Sequence, residues 1–312
     1  MKLSSLAVSA AALPSALAWG GFGHITVAYI ASNFVSSSTT SYLQTLLRND
    51  TGDYLAGVAT WADSARYSKW FRWSGGFHYI DAKDNPPTYC GIDYERDCKK
   101  DAGCVVSALH NYTTRLLDTQ LPPYERAVAA KFVIHFIGDI HQPLHTEDVE
   151  RGGNGIHVTF DGVNFNLHHV WDTSIAEKLV GGIHRKPYPY ARKWADELTK
   201  EIKLGKYSSG QVKWLKNTNI SDPISTALAW AREGNALVCT TVLPEGAEAI
   251  RDQELGSDYF EGAAPVVEEQ IAKAGYRLAA WLDLIVSALK VQSTPAAAAA
   301  AAAPVVAYPG DL

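Results

Sequence analysis

The chain has 312 residues, a formal net charge of −5 at pH 7 and no run of Lys and Arg. These features argue against a protein that wraps a nucleic acid duplex through many phosphate contacts. A site that handles one or two phosphates through bound metal ions remains open, because the ions supply the positive charge.

Residues 1–18 have the pattern of a secretory leader. Lys2 precedes an apolar stretch that ends in Ala16-Leu17-Ala18, and this stretch is too short to span a membrane. We therefore expect a secreted, soluble protein that begins at Trp19 and makes no membrane contact. We also expect it to be a monomer. Three glycosylation sequons fit export, and they begin at Asn49, Asn111 and Asn219.

Helical periodicity dominates the chain after the leader. Apolar residues recur at spacings of three and four over seven segments, which are residues 25–34, 39–47, 105–117, 124–140, 190–204, 224–237 and 266–288. Pro123, Pro143 and Pro223 lie where helix ends are expected. Residues 157–165 contain an Asp161-Gly162 turn between two short β-prone runs, which predicts a small hairpin.

The predicted fold is therefore mainly α, with a single helical domain over residues 19–290 and one β-hairpin. Residues 291–312 contain a long alanine run between prolines. We predict a disordered tail there, because nothing gives this run a face to bury.

Four cysteines in a secreted chain predict two disulfides, and three pairings are possible. The short separation of Cys98 and Cys104 favours a local loop between them, which leaves Cys90 to join Cys239. Spacing alone does not decide the pairing.

Two His/Asp pairs at helical spacing indicate a metal site. His135 and Asp139 lie four residues apart in a predicted helix, and His168 and Asp172 repeat that spacing. Pro143 ends the first helix, so His145 can return to the same cavity. A single buried histidine is more often a hydrogen-bonded core residue than a ligand. Two such pairs so close in the sequence favour the metal interpretation.

Further potential ligands lie nearer the amino terminus. Asp63 is followed by Arg66, and His78 by Tyr79 and Asp81. The terminal amine and carbonyl of Trp19, together with His24, form another group of potential ligands. Imidazole, carboxylate and amine suit zinc, and these ligands are too many for one ion.

Other residues near these groups are interpreted as structural. His141 and His169 point elsewhere on a helix and are assigned to packing or to support of the ligands. His110, His157 and His184 are assigned structural roles, and Trp61, Phe136 and Trp171 are expected to pack around the site.

With these motifs the sequence resembles the S1/P1 nuclease family of secreted, single-strand-specific zinc nucleases. The resemblance covers essentially all of residues 19–290. It rests on Trp19-Gly-x-x-Gly-His24, Trp-Ala-Asp63, His78-Tyr-Ile-Asp81, the block from His135 to His145, Asn-Leu-His168-x-x-Trp-Asp172, Asp-Asn-Pro-Pro at 84–87 and Lys-Ala-Gly-Tyr-Arg-Leu-Ala-Ala-Trp-Leu at 273–282.

The resemblance implies three zinc ions. One ion would be bound by Asp63, His78, His135 and Asp139, and a second by His145, His168 and Asp172. The third would be bound by the amine and carbonyl of Trp19, by His24 and by Asp139, which would bridge two ions. The implied disulfides are Cys90–Cys239 and Cys98–Cys104.

The resemblance also implies the fold and the activity. The fold would be the helical one that zinc phospholipases C share. The activity would be endonucleolytic hydrolysis of single-stranded DNA and RNA to 5′-phosphorylated products, with 3′-nucleotides as further substrates. Asp63 and Arg66 would be catalytic, and Tyr79 and Asp81 would bind a base, although the family often has Phe at the position of Tyr79. The alternatives are a secreted zinc phospholipase C and, less favoured, a non-catalytic binding protein.

Overall fold

The computed structural model describes residues 19–183 and 185–292. In chain order its α-helices are α1 (Gly21–Ser32), α2 (Ser37–Leu47), α3 (Trp61–Ala65), α4 (Tyr94–Asp97), α5 (Val105–Leu117), α6 (Pro123–Asp139), α7 (Leu167–His169), α8 (Ile175–Leu179), α9 (Tyr188–Leu204), α10 (Gln211–Trp214), α11 (Pro223–Leu237), α12 (Ala247–Ile250) and α13 (Asp258–Gln292). The predicted leader over 1–18, His184 and the tail from residue 293 lie outside the described residues.

Tighter and wider helical turns connect several of these helices. Short 3₁₀ segments span Ala56–Val58, Arg72–His78, Pro143–Thr146 and Ser208–Gly210. A π-helical turn over Val170–Ser174 joins α7 to α8, and a second over Val238–Val242 continues α11. π-helical turns are frequent at functional sites, and the first one carries Asp172.

The mainly α prediction is confirmed, and each of the seven predicted helices is present. Local chemistry explains several of their starts. The Ser36 side chain accepts a hydrogen bond from the Thr39 N–H at the start of α2, and Asp222 caps the Ser225 N–H at the start of α11. Pro123 and Pro223 occupy the first turns of α6 and α11, where a missing N–H costs nothing.

Two helices start well before the predicted residue. Helix α1 starts at Gly21 rather than residue 25, so His24 lies on the helix. Helix α13 starts at Asp258 rather than residue 266 and passes through Pro265. Proline removes one helical hydrogen bond, and Ala264 and Val267 beside it are buried in the core. The same helix continues to Gln292, beyond the predicted domain end at residue 290.

The core forms around α1, which is buried along almost its whole length. It packs against α13, α9 and α6, while α5 packs between α6 and α11. Helices α1 and α13 approach closely at Gly275, where an added Cβ would lie 2.5 Å from the Cβ of Ile30. Only glycine fits at that crossing without moving a helix.

The predicted hairpin consists of β1 (His157–Phe160) and β2 (Val163–Asn166), which pair antiparallel with Phe160 opposite Val163. Asp161 and Gly162 both have positive φ, at 50° and 76°. This conformation is typical of the two-residue turns that match strand twist.

Both expected disulfides are present. Cys90 bonds to Cys239 and Cys98 bonds to Cys104. None of the helices over residues 19–183 and 185–292 combines the length and the apolar character that a membrane crossing needs.

Candidate metal centre

Eight side chains predicted as metal ligands are buried in the structure, and they come from separate elements. Helix α1 contributes His24, α3 contributes Asp63, and α6 contributes His135 and Asp139. The others lie on short segments: His78 ends the 3₁₀ segment Arg72–His78, His145 lies in Pro143–Thr146, and His168 and Asp172 lie on α7 and the π-helical turn that follows.

Asp139 lies at the centre of the first group. Its Oδ2 is 2.9 Å from His78 Nδ1 and 3.3 Å from His135 Nε2, and its Oδ1 is 3.1 Å from His24 Nε2. Asp63 Oδ1 lies 3.6 Å from His135 Nε2 and 3.9 Å from His78 Nδ1. The structure therefore brings together four residues of the first implied set and places His24 beside them.

His145, His168 and Asp172 form the second group. His145 Nε2 lies 3.6 Å from Asp172 Oδ1, and His168 Nε2 lies 3.2 Å from Asp172 Oδ2. Gln142, which the sequence analysis did not single out, donates a hydrogen bond of 2.5 Å to Asp172 Oδ1. Gln142 lies inside the sequence block from His135 to His145. Its position between these ligands in the sequence could have identified it as a residue of the site.

Backbone carbonyls orient three of the imidazoles. The Nδ1 atoms of His135, His145 and His168 lie 2.7, 2.8 and 2.5 Å from the carbonyl oxygens of Ala59, His78 and Gly152. A proton on Nδ1 leaves the Nε2 lone pair free to face the cluster, which is the usual arrangement for a zinc-binding histidine. No sequence pattern predicts which carbonyls bind the imidazoles, because every residue has a backbone carbonyl.

The electrostatics of the buried groups are strongly coupled. Burial lowers the pKa of His78 to about 4, although Asp139 opposes this shift. Burial also lowers the pKa of His135, but attraction to Asp139 and Asp63 outweighs it and raises that pKa to about 9. Burial raises the pKa of Asp139, yet His135 and the neighbouring hydrogen bonds leave it well below its usual value. The Asp139 carboxylate is therefore ionised at neutral pH.

The donor set fits bound cations. Asp63 Oδ1 and Oδ2, His145 Nε2 and Asp172 Oδ2 are buried and form no hydrogen bond within the described chain. Buried polar atoms without partners are costly, and a divalent ion would satisfy them. Three buried groups have ligand atoms within 4.8 Å of one another: His24/His135/Asp139, Asp63/His78/His135 and His145/His168/Asp172. Neutral imidazole and carboxylate are the ligands that zinc prefers.

The amino-terminal segment lies against both groups. The Trp19 side chain is fully buried, and the Gly20 N–H donates a hydrogen bond of 2.7 Å to the Asp172 carbonyl. Gly138 lets α6 approach α1, because a Cβ there would lie 2.7 Å from His24 Nδ1. The backbone of Trp19 is therefore held near His24 and Asp172.

The predicted substrate residues lie at the edge of this cluster. Tyr79 is 40% exposed, and Asp81 is half-buried with Lys99 Nζ 3.8 Å away. Burial and then the charge of Asp148 raise the pKa of Asp81. Arg66 Nη2 donates a hydrogen bond of 3.2 Å to the Tyr67 hydroxyl. Arg66 also lies near enough to Tyr79 for its charge to oppose the rise that burial causes in the Tyr79 pKa.

The residues interpreted as structural lie outside the two groups. His141 is buried between the Ile137 carbonyl and the Arg277 guanidinium. His169 stacks on Phe165 with ring centroids 4.5 Å apart. Three aromatic side chains pack in the core around the ligands, namely Trp61, Phe136 and Trp171. Of the sequon asparagines, Asn111 and Asn219 are exposed and Asn49 is half-buried.

Comparison with known proteins shows the family of this chain. A family model described as S1/P1 Nuclease matches residues 19–287. Nuclease S1 of Aspergillus oryzae is 51% identical over 286 residues, which cover 90% of this chain and 98% of that protein. Nuclease P1 of Penicillium citrinum is 47% identical, with 86% and 97% covered. Endonuclease 3 of Arabidopsis thaliana is 33% identical, with 92% and 96% covered.

Proposed function

The chain belongs to the S1/P1 nuclease family, and we propose that it is a secreted zinc-dependent endonuclease for single-stranded DNA and RNA. The observation that carries this proposal is the trio of buried His/Asp groups, in which several ligand atoms lack hydrogen-bond partners within the described residues. The proposed leader, the monomeric state, the domain over residues 19–290 and the glycans at Asn49, Asn111 and Asn219 belong to the same proposal.

Three zinc ions are proposed at this site. Asp63, His78, His135 and Asp139 would hold one ion, and His145, His168 and Asp172 a second. The third would bind to the Trp19 amine and carbonyl, His24 and Asp139. When bound, such ions supply Lewis-acid charge and activate water at mild pH.

The protein's own groups would position the reacting phosphate. Asp63 would accept a hydrogen bond from the attacking water and align it with phosphorus. Arg66 would donate two hydrogen bonds to the non-bridging phosphate oxygens and stabilise the charge that develops on them. Breaking the P–O3′ bond leaves a 3′-hydroxyl on one fragment and the phosphate on the 5′-oxygen of the other. The same bond is broken when a 3′-phosphate is removed from a mononucleotide.

Tyr79 and Asp81 would supply the preference for single strands. The exposed Tyr79 ring would stack on an unpaired base, and Asp81 would accept a hydrogen bond from an exocyclic amino group. A base in a duplex must first leave its stack, which costs a few kcal/mol. The Tyr79 hydroxyl adds a polar group at the edge of that stacking surface.

One assay tests the proposal directly. We expect hydrolysis of denatured DNA and of RNA, little cleavage of duplex DNA, and loss of both activities after chelation. Turnover of phosphatidylcholine without cleavage of denatured DNA would instead select the phospholipase C alternative. Stoichiometric zinc without any hydrolysis would select a non-catalytic binding protein.

A further inference from the structure

A basic and aromatic segment lies between two proposed metal ligands. From Ser64 to Ile80 the chain contains three cations and no carboxylate, although the whole chain has a net charge of −5. The cations are Arg66, Lys69 and Arg72. They alternate with aromatic residues, so residues 66–73 read Arg-Tyr-Ser-Lys-Trp-Phe-Arg-Trp. We call residues 66–73 the basic aromatic segment.

The aromatic side chains of this segment are unusually exposed. Trp70 is 72% exposed and Trp73 is 55% exposed, whereas most tryptophans of the described chain are buried. Large exposed aromatic surfaces commonly mark binding sites. The two tryptophans are linked, because Trp73 Nε1 donates a hydrogen bond of 2.9 Å to the Trp70 carbonyl. This bond holds the Trp73 ring against the backbone of Trp70.

Positive charge lies directly beside these rings. Lys69 Nζ is 4.7 Å from the centre of the Trp70 ring, and both Lys69 and Arg72 are exposed. Within residues 19–183 and 185–292, no carboxylate lies within 4.0 Å of either cation. The side chains thus present a flat ring and a cation side by side, and no carboxylate of the described residues forms an ion pair with Lys69 or Arg72.

The segment is continuous with the candidate metal centre. It begins three residues after Asp63, and the 3₁₀ segment that contains Trp73 ends at His78. The Trp73 ring lies 5.6 Å from Phe77, the residue before His78. On the other side it lies 6.2 Å from Phe132, one turn of α6 before Phe136. The segment therefore connects two proposed ligands, Asp63 and His78, and Trp73 packs beside the residue that precedes His78.

We propose that the part of the basic aromatic segment that follows Arg66, residues 67–73, is a second binding surface for single-stranded nucleic acid, outside the site of cleavage. Bases of the same strand stack on Trp70 and Trp73, while Lys69 and Arg72 contact the phosphates between them. This inference rests on the proposed function and extends it from one base at Tyr79 to several nucleotides. It makes the enzyme favour long strands over dinucleotides.

The chemistry of the surface favours this occupant. Stacking on a ring tolerates every base, because each base has a π face, and it requires bases that are not already stacked in a duplex. A purely apolar partner would leave two cations unneutralised beside its contact. An anionic polymer with planar groups satisfies the rings and the cations together.

The test compares substrates of different length with matched variants. Trp70→Leu removes the π face, whereas Trp70→Phe retains a smaller one. Lys69→Ala removes a segment charge, and Lys213→Ala removes an exposed charge on α10 as the control. Steady-state constants are measured on a dinucleotide and on a strand of roughly 15 nucleotides, which spans a typical site. Affinity for a phosphorothioate strand of that length is measured by fluorescence anisotropy at several salt concentrations, and circular dichroism verifies folding.

We expect Trp70→Leu to raise KM for the long strand at least about fivefold, with kcat and dinucleotide cleavage unchanged. Trp70→Phe should recover part of the loss. The slope of log affinity against log salt should fall by about 0.7 in Lys69→Ala and stay constant in Lys213→Ala. Equal KM values for Trp70→Leu and wild type, or equal losses in the Phe and Leu variants, would overturn the proposal and leave the nuclease function intact. If the wild type cleaves no nucleic acid, the proposed function fails, and the anisotropy data still decide whether this surface binds strands.

Discussion

The carboxylate of Asp139 is the most informative single group to change. It contacts nitrogens of three histidines, at 2.9, 3.1 and 3.3 Å. Asp172 contacts nitrogens of two histidines, at 3.2 and 3.6 Å. If both carboxylates bind metal, Asp139→Asn disturbs two ion positions, and Asp172→Asn, an equally buried and isosteric change, disturbs only one.

The expected magnitude follows from that difference. We predict about three zinc ions per wild-type chain, about two in Asp172→Asn and about one in Asp139→Asn. Removing electrostatic stabilisation of the reaction should lower kcat/KM of Asp139→Asn at least about a hundredfold. Chelator should lower the Tm of the wild type, since ligands that bind only the folded state stabilise it. The Tm of Asp139→Asn should fall much less.

Elemental analysis of protein dialysed without chelator measures the zinc, and cleavage of denatured DNA measures the activity. Equal zinc losses in the two variants would refute the bridging role of Asp139. One zinc ion or fewer in fully active wild-type protein would refute the three-ion centre as a whole.

Three further predictions address other parts of the molecule. Tyr79→Ala should weaken binding of single strands by roughly 1–3 kcal/mol with zinc content unchanged; unaltered kinetics on denatured DNA would show that no base stacks there. One alanine added before Trp19 converts its amine to an amide, a poor zinc ligand, so zinc content and activity should both fall; equal values would mean that the amine binds no metal. Gly275→Ala should lower the free energy of unfolding by about 1–3 kcal/mol, because its Cβ would lie 2.5 Å from that of Ile30. Gly262→Ala in the same helix, with no atom near its added Cβ, should leave stability unchanged or raise it by up to about 1 kcal/mol; equal unfolding midpoints in the two variants would contradict the steric argument.

Sequence periodicity predicted the helices well because it is a local property. Apolar residues at spacings of three and four located seven helices, and the Asp161-Gly162 turn located the hairpin. The predicted start of α13 at residue 266 was wrong, since the helix begins at Asp258 and continues through Pro265. The short helical segments between Ala56 and His78 were not predicted, because three to seven residues show too little periodicity.

The candidate site was predicted where its ligands are close in the chain. His135 and Asp139 share a helix, as the i, i+4 spacing indicated, and His168 and Asp172 retain that relation across a π-helical turn. The family resemblance supplied the grouping of the distant ligands, and the fold brings those ligands together. That His24 and His78 both meet Asp139 depends on how α1 and the Arg72–His78 segment pack against α6.

The sequence by itself thus determined which residue types are available and which of them lie one turn apart. The tertiary structure decided which carbonyls orient the imidazoles and which tryptophans stay exposed. It also fixed the pairing of Cys90 with Cys239, 149 residues away. The physical reason is that helix formation follows from neighbouring residues, whereas burial and ligand geometry follow from contacts between elements distant in the chain.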